Sequence, residues 1–344
     1  GEYRLPGNVS SQFFTGLLFA LPLLEGDSRI AIEGKLESAG YIDMTLDALS
    51  LFGIKIERGE DYFAVPGGQK YNTPLDLYEA LNEDYYSDAD NATTASPDPV
   101  WLPAEGDWSN SAFWLCAGAT RGEIAVRGLS YPSLQGDSAV VEILRRFGAD
   151  VKDEEVHYKE DSNAVKKETF HDFIGTLPGE LLWNKKKDED NGPGTQEFVP
   201  AAISVNAYYE LEGITIDVSD IPDLVPALAV TAMAAKGRTT FTNAGRLRLK
   251  ESDRIASVCA AVNALGGKAF AEGDSLIIEG GERPKGGTVD ACGDHRIAML
   301  AAVAAQWCSG PVTILGAEAV DKSYPNFWRD YASLGGYVTL YEEV

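Results

Sequence analysis

The densest group of charged side chains in this sequence lies at residues 245–254, GRLRLKESDR, where four cations surround two carboxylates. Ser252 precedes apolar residues at helical spacing, so it is predicted as the N-cap of a helix with Arg254 in its first turn. Cations are disfavoured at that end because the helix dipole already places positive partial charge there. Arg254 therefore indicates an anion held by its guanidinium and by backbone N–H groups. A solvated surface loop is the alternative interpretation.

A second helix start repeats this arrangement. The segment GDHR turns at Gly293 and places Asp294, His295 and Arg296 at the head of an apolar run. Lys322, in DKSYPNFW, again lies just before a predicted helix. Two guanidiniums can bind a carboxylate bidentately and a lysine suits a phosphate, so the pattern predicts a small ligand with several negative charges.

Two further helix starts carry polar side chains with two possible roles. In GNVSSQFF, Ser10, Ser11 and Gln12 precede a predicted helix. They could donate to a phosphate or a sugar-like hydroxyl, or simply cap the helix. Asp223 lies beside a proline at the start of another apolar helix. Its carboxylate could be a cap or a ligand for substrate hydroxyls.

The composition limits the class of partner. The chain has 344 residues and a formal net charge of -24, so general affinity for nucleic acid or an anionic membrane is not expected. An anion site must then be a local basic pocket. No run of about 18 apolar residues predicts a membrane span. The four cysteines form no C-x-x-C motif, so no metal site or disulfide framework is expected, and a reducing, cytoplasmic setting fits.

The elements that must position these residues follow a repeated pattern. An amphipathic helix ends in Phe-Gly or Leu-Gly and a strand-like run follows, which predicts left-handed C-cap glycines. The pattern occurs at residues 42–57, 138–151, 252–270 and 327–340. It indicates an α/β architecture of repeated units, with an ordinary α/β protein of chance internal likeness as the alternative. The polar stretches 82–100 and 153–198 interrupt the pattern and are predicted to be surface insertions.

Eight motifs in order carry a resemblance to a known family. They are GNVSSQFFTGLL, ESAGYIDMT, GDWSNSAFWL, LQGD, IPDLVPALAV, RLRLKESDR, GDHRIAM and DKSYPNFW. The sequence resembles the 5-enolpyruvylshikimate-3-phosphate synthases, or 3-phosphoshikimate 1-carboxyvinyltransferases. The resemblance implies a two-domain enolpyruvyl transferase fold, an inside-out α/β barrel of repeated βαβαββ units. It assigns residues 1–104 to a partial upper domain and 105–344 to a lower domain with an insertion at about 153–198.

The resemblance also implies a reaction. The enolpyruvyl group of phosphoenolpyruvate passes to the 5-hydroxyl of shikimate 3-phosphate and phosphate is released, a step toward chorismate and the aromatic amino acids. No metal or organic cofactor is implied, and the complete enzyme is expected to be a monomer.

Each functional position follows from the match to the family motifs. The positions that match residues binding shikimate 3-phosphate are Ser10, Ser11, Gln12, Ser38, Tyr41, Asp223 and Lys250. Those that match residues binding phosphoenolpyruvate are Arg254, Arg296 and Lys322. Asp223 matches the proposed base toward the 5-hydroxyl, Glu251 matches the proposed proton donor to C3, and Lys250 completes the expected catalytic set.

One departure from the family pattern is large. The N-terminal part of family members, which carries further phosphoenolpyruvate contacts, has no counterpart here. The chain is therefore expected to correspond to the C-terminal two-thirds of such an enzyme and to be inactive alone. A catalytically inactive shikimate 3-phosphate-binding fragment is one alternative. A relative of the UDP-N-acetylglucosamine enolpyruvyl transferases is another, although the motifs disfavour it.

Overall fold

The computed structural model of the protein describes residues 1–8, 10–36, 39–72, 105–131, 133–155 and 200–341. These residues form two compact units, one ending at Glu105 and the other containing residues 106–155 and 200–341. We propose that the two units are the partial upper domain and the lower domain implied by the sequence. The stretch 82–100 and most of 153–198 lie outside the described residues.

The first unit is one βαβαββ repeat. Its elements are β1 (Glu2–Pro6), α1 (Ser11–Ala20), β2 (Ser28–Glu33), α2 (Ala39–Leu51), β3 (Glu57–Arg58) and β4 (Tyr62–Val65). The sheet order is β1-β2-β4-β3, with β1 parallel to β2 and the other pairs antiparallel. The core forms where Phe14 and Leu18 of α1 and Ile42 of α2 pack against Ile30 and Phe63 of the sheet.

The second unit contains the larger set of elements. Up to its first sheet they are α3 (Trp108–Thr120), β5 (Glu123–Ser130), α4 (Val140–Phe147), β6 (Asp150–Glu155) and β7 (Pro200–Asn206). The middle portion consists of β8 (Thr215–Asp217), α5 (Val225–Ala234), β9 (Gly237–Thr242), α6 (Arg254–Ala264), β10 (Lys268–Glu272) and β11 (Ser275–Gly280). The last portion consists of β12 (Gly287–Asp290), α7 (His295–Ala305), β13 (Val312–Leu315) and α8 (Phe327–Ser333).

The repeat predicted from the sequence is present in both units. The elements β8-α5-β9-α6-β10-β11 follow the same order as the first unit, and their sheet order, β8-β9-β11-β10, is equivalent to β1-β2-β4-β3. A third sheet has the order β5-β7-β6, and both of its strand pairs are antiparallel. This order is equivalent to β2-β4-β3 of the first unit. The prediction of repeated βαβαββ units is confirmed.

The centre of the second unit is made of helices rather than strands. All residues of α3 except Thr120 are buried, and α5 and α7 are buried almost as completely. A helix that is apolar all round must be enclosed by other elements, and these three pack on one another. The surrounding strand β5 exposes alternate residues. Helices inside and strands outside give the inside-out arrangement.

The predicted C-cap glycines all adopt left-handed backbone conformations. Their φ angles are 78° at Gly53, 98° at Gly148, 88° at Gly266 and 93° at Gly335. A strand follows the first three, but residues 336–341 form none, so the fourth predicted strand is wrong.

Strand β6 also extends beyond the predicted start of the insertion at residue 153, because it continues to Glu155 and pairs with β7. Its acidic sequence, DVKDEE, lacks the apolar alternation that marks a strand. Among the described residues, no helix is both long and apolar enough to cross a bilayer.

Candidate active site

Six of the predicted site residues lie together in the second unit, five of them at or just before the N-terminal ends of α5, α6 and α7 and the sixth, Lys322, at the end of a 3₁₀ turn that precedes α8. They are Asp223, Lys250, Glu251, Arg254, Arg296 and Lys322. Asp223 and Lys322 lie within the short 3₁₀ turns Pro222–Leu224 and Ala317–Lys322, and a third turn, Gly245–Leu249, ends directly before Lys250. These turns bring side chains from distant parts of the sequence to one place. The structure therefore joins these six positions into one network of ion pairs and hydrogen bonds.

The two arginine-bearing helices both begin at an aspartate N-cap. Asp294 caps α7 by accepting from the backbone N–H of Arg296 at 3.0 Å. Asp253 caps α6 by accepting from Ala256 N at 3.2 Å, so the prediction that Ser252 is the cap is wrong. The Ser252 hydroxyl instead donates to Asp294 Oδ2 at 3.1 Å, and its neighbour Asp253 occupies the cap position.

Arg254 is enclosed by carboxylates of the chain itself. Its side chain is only 1% exposed. Nε donates to Asp294 Oδ2 at 2.8 Å, Nη1 donates to Asp223 Oδ1 at 2.6 Å, and Nη2 donates to Glu251 Oε2 at 2.6 Å. The anion predicted beside this guanidinium is thus present within the protein. Three carboxylates offset the unfavourable placement of a cation at a helix N-terminus.

Asp223 does not cap α5, because its carboxylate is directed to cations. Lys250 Nζ lies 3.1 Å from Asp223 Oδ1, and Arg296 Nη1 donates to the backbone carbonyl of Asp223 at 3.0 Å. Burial raises the pKa of Asp223, but the charges of Arg296, Lys250 and Arg254 outweigh it and hold that pKa well below its usual range. Asp223 is therefore an ionised hydrogen-bond acceptor at neutral pH.

Glu251 bridges two cations. Lys322 Nζ donates to Glu251 Oε1 at 2.6 Å, and the other oxygen accepts from Arg254. Burial raises the pKa of Glu251, but the hydrogen bond from Lys322 and the charge of Arg254 lower it to about 2. The carboxylate is consequently ionised in this state, which is not the state of a proton donor.

Two buried aspartates contribute to the site although the sequence analysis gave them no role. Asp294 is fully buried and links the starts of α6 and α7. Asp137 is 2% exposed and accepts a short hydrogen bond from Ser109 Oγ. Burial raises the pKa of Asp137 to about 6, even though the charge of Arg296 and the Ser109 hydrogen bond act the other way. The motifs GDHR and LQGD contain both residues and were the available signal.

His295 is buried beside this network and is neutral. Burial, together with the charge of Arg296, lowers its pKa to about 4. Within the described ranges, no group of three or more His, Cys, Asp or Glu side chains could hold a metal ion.

The predicted residues of the first unit are placed at two helix starts. Ser10 is the N-cap of α1, and its Oγ accepts from Gln12 N at 3.3 Å, which confirms the cap interpretation. Ser11 and Gln12 open α1, and Tyr41 lies half-buried in the first turn of α2. Ser38 lies outside the described residues.

A family profile accounts for most of the chain. The EPSP synthase family, described as 3-phosphoshikimate 1-carboxyvinyltransferase, matches residues 1–80, 87–182 and 195–331. The chain belongs to the EPSP synthase family. The resemblance stated from eight motifs is confirmed, and family membership covers the part of the chain that holds the six-residue network.

Curated relatives agree with this assignment. A 3-phosphoshikimate 1-carboxyvinyltransferase from Clostridium acetobutylicum is 39% identical over 98% of this chain and 61% of its own length. The protein of that name from Clostridium kluyveri is 38% identical over 98% of this chain and 62% of its own length. The chain thus spans just over three-fifths of the length of these EPSP synthase family members.

Solved structures establish the fold. EPSP synthase from Acinetobacter baumannii superposes with a TM-score of 0.69 at 24% identity, covering 99% of this chain and 64% of that one. The enolpyruvyl transferase NikO from Streptomyces tendae gives a TM-score of 0.56 at 15% identity, covering 98% and 64%. The predicted α/β enolpyruvyl transferase fold is confirmed.

Proposed function

We propose that this chain carries the catalytic residues of an enzyme that transfers the enolpyruvyl group of phosphoenolpyruvate to the 5-hydroxyl of shikimate 3-phosphate and releases phosphate. The observation that carries the proposal is the group of four cations, Lys250, Arg254, Arg296 and Lys322, gathered around the two ionised carboxylates of Asp223 and Glu251. Such a group suits a ligand with both a carboxylate and a phosphate. Family membership supplies the reaction.

The phosphoenolpyruvate contacts are proposed to come from Arg254, Arg296 and Lys322. Arg296 and Lys322 have exposed side-chain fractions of 11% and 56%, so a ligand entering from solvent can meet them. Arg254 is almost completely enclosed, and its contribution is to fix Glu251 and Asp223 while adding positive charge. We therefore assign the direct ionic contacts chiefly to Arg296 and Lys322.

The acid and base are proposed to be Glu251 and Asp223. The oxygen of the 5-hydroxyl forms a bond to C2 of phosphoenolpyruvate while C3 takes a proton and the C2–C3 double bond becomes single. The adduct then expels phosphate as the bond between C2 and the phosphate oxygen breaks, and C3 returns a proton to the Glu251 carboxylate so that the C2–C3 double bond forms again. Asp223 accepts the hydrogen bond, and then the proton, of the hydroxyl. Glu251 delivers a proton to C3. Positioning both anions beside these groups supplies much of the rate enhancement.

The shikimate 3-phosphate contacts are proposed to come from the positions that match the family residues for this ligand: Ser10, Ser11, Gln12, Ser38, Tyr41, Asp223 and Lys250. Because the chain spans only about three-fifths of these relatives' length, its activity, substrates and monomeric state are proposals. The absence of a metal or organic cofactor from the reaction also stays a prediction.

Calorimetric titration with each substrate tests the proposal. We expect shikimate 3-phosphate to bind, with Lys250→Ala and Asp223→Ala weakening it, while UDP-N-acetylglucosamine does not bind. Phosphate release should then be assayed with the chain alone and after addition of the part of the Clostridium acetobutylicum relative that the chain does not match. Binding of the UDP-sugar in place of shikimate 3-phosphate would contradict the proposal.

A further inference from the structure

We propose that Glu251 is an internal counter-ion of the anion site, whose carboxylate a phosphate-bearing ligand displaces from Lys322 on binding. The proposal rests on the proposed function, because it identifies phosphoenolpyruvate, a phosphate monoester, as that ligand. It extends that function by making ligand binding an exchange of ion pairs.

The geometry places Glu251 between an exposed and a buried cation. The Lys322 side chain is 56% exposed, that of Glu251 is 28% exposed and that of Arg254 is 1% exposed. Each carboxylate oxygen of Glu251 lies 2.6 Å from one of the two cations. An anion arriving from solvent therefore meets Lys322 while its ammonium group is engaged by Glu251.

Competition follows from this arrangement. An ammonium group has a limited number of donors, and its attraction to a second anion is weakened while a carboxylate lies beside it. A ligand phosphate gains full use of Lys322 only when the Glu251 carboxylate moves away or loses its charge. The half-exposed position of Lys322 keeps the cost of this exchange modest.

The exchange also changes the protonation of Glu251. Losing Lys322 as a positive neighbour and gaining a negative one both favour the neutral carboxylic acid. Ligand binding should therefore be accompanied by uptake of a proton from solvent onto Glu251. The structure shows this residue ionised in its paired state, and the bound ligand would convert it into the proton donor that addition at C3 requires.

Other ionisable groups surround the same site and must be separated from Glu251 in a test. From the turns and helix starts packed around it, these are Asp137, Asp223, Lys250, Asp253, Arg254, Asp294, His295, Arg296 and Lys322. Of these, Asp137 and His295 can also titrate near neutral pH when an anion binds. A comparison of the wild-type protein with Glu251→Gln isolates the contribution of Glu251, because every other group is retained.

The experiment is calorimetric titration with inorganic sulfate, a tetrahedral dianion that carries no titrating proton near neutral pH. Titrations in two buffers of different ionisation enthalpy, between about pH 5 and about pH 8, count the protons taken up on binding. We expect sulfate to bind Glu251→Gln about threefold or more tightly than wild type. Wild-type affinity should rise as the pH falls, since binding takes up a proton, and this component should be missing from the variant.

Glu279→Gln is the matched control. Glu279 also lies between two cations, Arg238 and Lys268, and its side chain is 30% exposed, but it is on strand β11 and not at a helix start. We expect its sulfate affinity and proton uptake to equal those of wild type. An equal gain in this control would overturn the proposal, because any freed Lys–Arg pair would then bind sulfate.

The remaining outcomes separate this inference from the proposed function. Sulfate binding that is unchanged or weaker in Glu251→Gln, with the variant folded by circular dichroism, overturns the counter-ion role and leaves the anion site standing. Lys322→Met should lose most of the sulfate affinity. No binding of sulfate or phosphoenolpyruvate by any of these proteins would overturn the anion site itself, and the inference with it.

Discussion

The starts of α6 and α7 have nearly the same sequence pattern but give their arginines different surroundings. Each helix begins at an aspartate cap that is followed closely by an arginine. Arg254 is 1% exposed and is hydrogen-bonded to three carboxylates. Arg296 is 11% exposed, donates to a backbone carbonyl and lies 4.0 Å from the nearest oxygen of the Asp223 carboxylate. One arginine organises the site and the other is available to a ligand.

A single inserted residue accounts for the difference. Arg254 is the first residue of α6, directly after its cap, whereas His295 separates Arg296 from the cap of α7. Each residue turns the direction of the side chain by about 100° around the helix axis. Arg254 reaches the cap of the neighbouring helix and the Asp223 carboxylate, while Arg296 reaches the backbone carbonyl of Asp223. Helix position, rather than residue type, therefore sets the surroundings of each arginine.

Removing each arginine in turn should give the largest difference in unfolding free energy between the two helix starts. Arg254→Ala leaves Asp294 buried without its guanidinium partner, and we expect the free energy of unfolding to fall by about 3–5 kcal/mol. Arg296→Ala should cost about 1 kcal/mol or less, because it is more exposed and makes fewer ionic contacts. Urea unfolding of both variants measures this, and equal losses would break the distinction.

The pKa of Asp137 is influenced by the charge of Arg296, so the stability contributed by this carboxyl group should depend on pH. Its pKa is raised to about 6 in the folded protein by burial. A raised carboxyl pKa means that the folded state holds the proton more tightly, so the stability it provides is present below about pH 4 and lost as the pH rises through about 6. Asp137→Asn should therefore raise the unfolding free energy by about 2 kcal/mol at neutral pH, with little effect near pH 4.

Asp223→Asn is the opposite case and serves as its control. The pKa of Asp223 is held low, so its charge stabilises the folded state above its unfolded pKa and that stability is lost on acidification. The variant should be less stable than wild type at neutral pH. Urea unfolding across the acidic range measures the change in unfolding free energy of both variants. An Asp137→Asn protein less stable than wild type at neutral pH would contradict the predicted cost of burying the ionised Asp137 carboxylate.

The binding role assigned to Arg296 has a smaller expected effect. Arg296→Ala should weaken phosphoenolpyruvate binding about tenfold through loss of a charge-assisted hydrogen bond, while the protein stays folded. Lys268→Ala removes a cation that is 67% exposed on β10 and should leave binding unchanged. Calorimetric titration provides the comparison. Equal weakening by the two variants would mean that overall charge, not the helix start, attracts the ligand.

The smallest expected effect on stability comes from the hydrogen bonds of Tyr324, close to Lys322 in the sequence. Tyr324, two residues on, is buried and donates to Asp330 Oδ2 at 2.9 Å, and its hydroxyl accepts from Trp114 Nε1 at 3.3 Å. Tyr324→Phe removes both hydrogen bonds, although Asp330 keeps its contact with Arg329, and should lower the unfolding free energy by about 1 kcal/mol. Tyr337→Phe, at a side chain 93% exposed, should have no effect in the same urea titration.

The features that could be predicted from the sequence are local ones. The glycines at 53, 148, 266 and 335 were found because a left-handed C-cap follows its own helix directly. The acid–arginine helix starts were found for the same reason. Asp253, and not Ser252, caps α6. The sequence did not predict this because the Ser252 hydroxyl donates to Asp294, a residue distant in the sequence.

The connections that enclose Arg254 could not be predicted in this way. They join residues 223, 251, 254 and 294, whose approach depends on how α5, α6 and α7 pack. Family motifs supplied the names of the site residues but not which cation each carboxylate would contact. The burial of Asp137 could not be predicted either, because it arises from the packing of its 3₁₀ turn against α3.

The burial of α3 has a consequence for motion. Because nearly every residue of this helix is enclosed, its backbone amides can exchange hydrogen with solvent only through openings that disrupt the centre of the second unit. The same holds for α5 and α7, whose first turns carry or adjoin Asp223 and Arg296. These two side chains are thus attached to the slowest-opening part of the unit. Lys322, half exposed at the end of its turn, can change partners on a far shorter timescale than the frame beneath it.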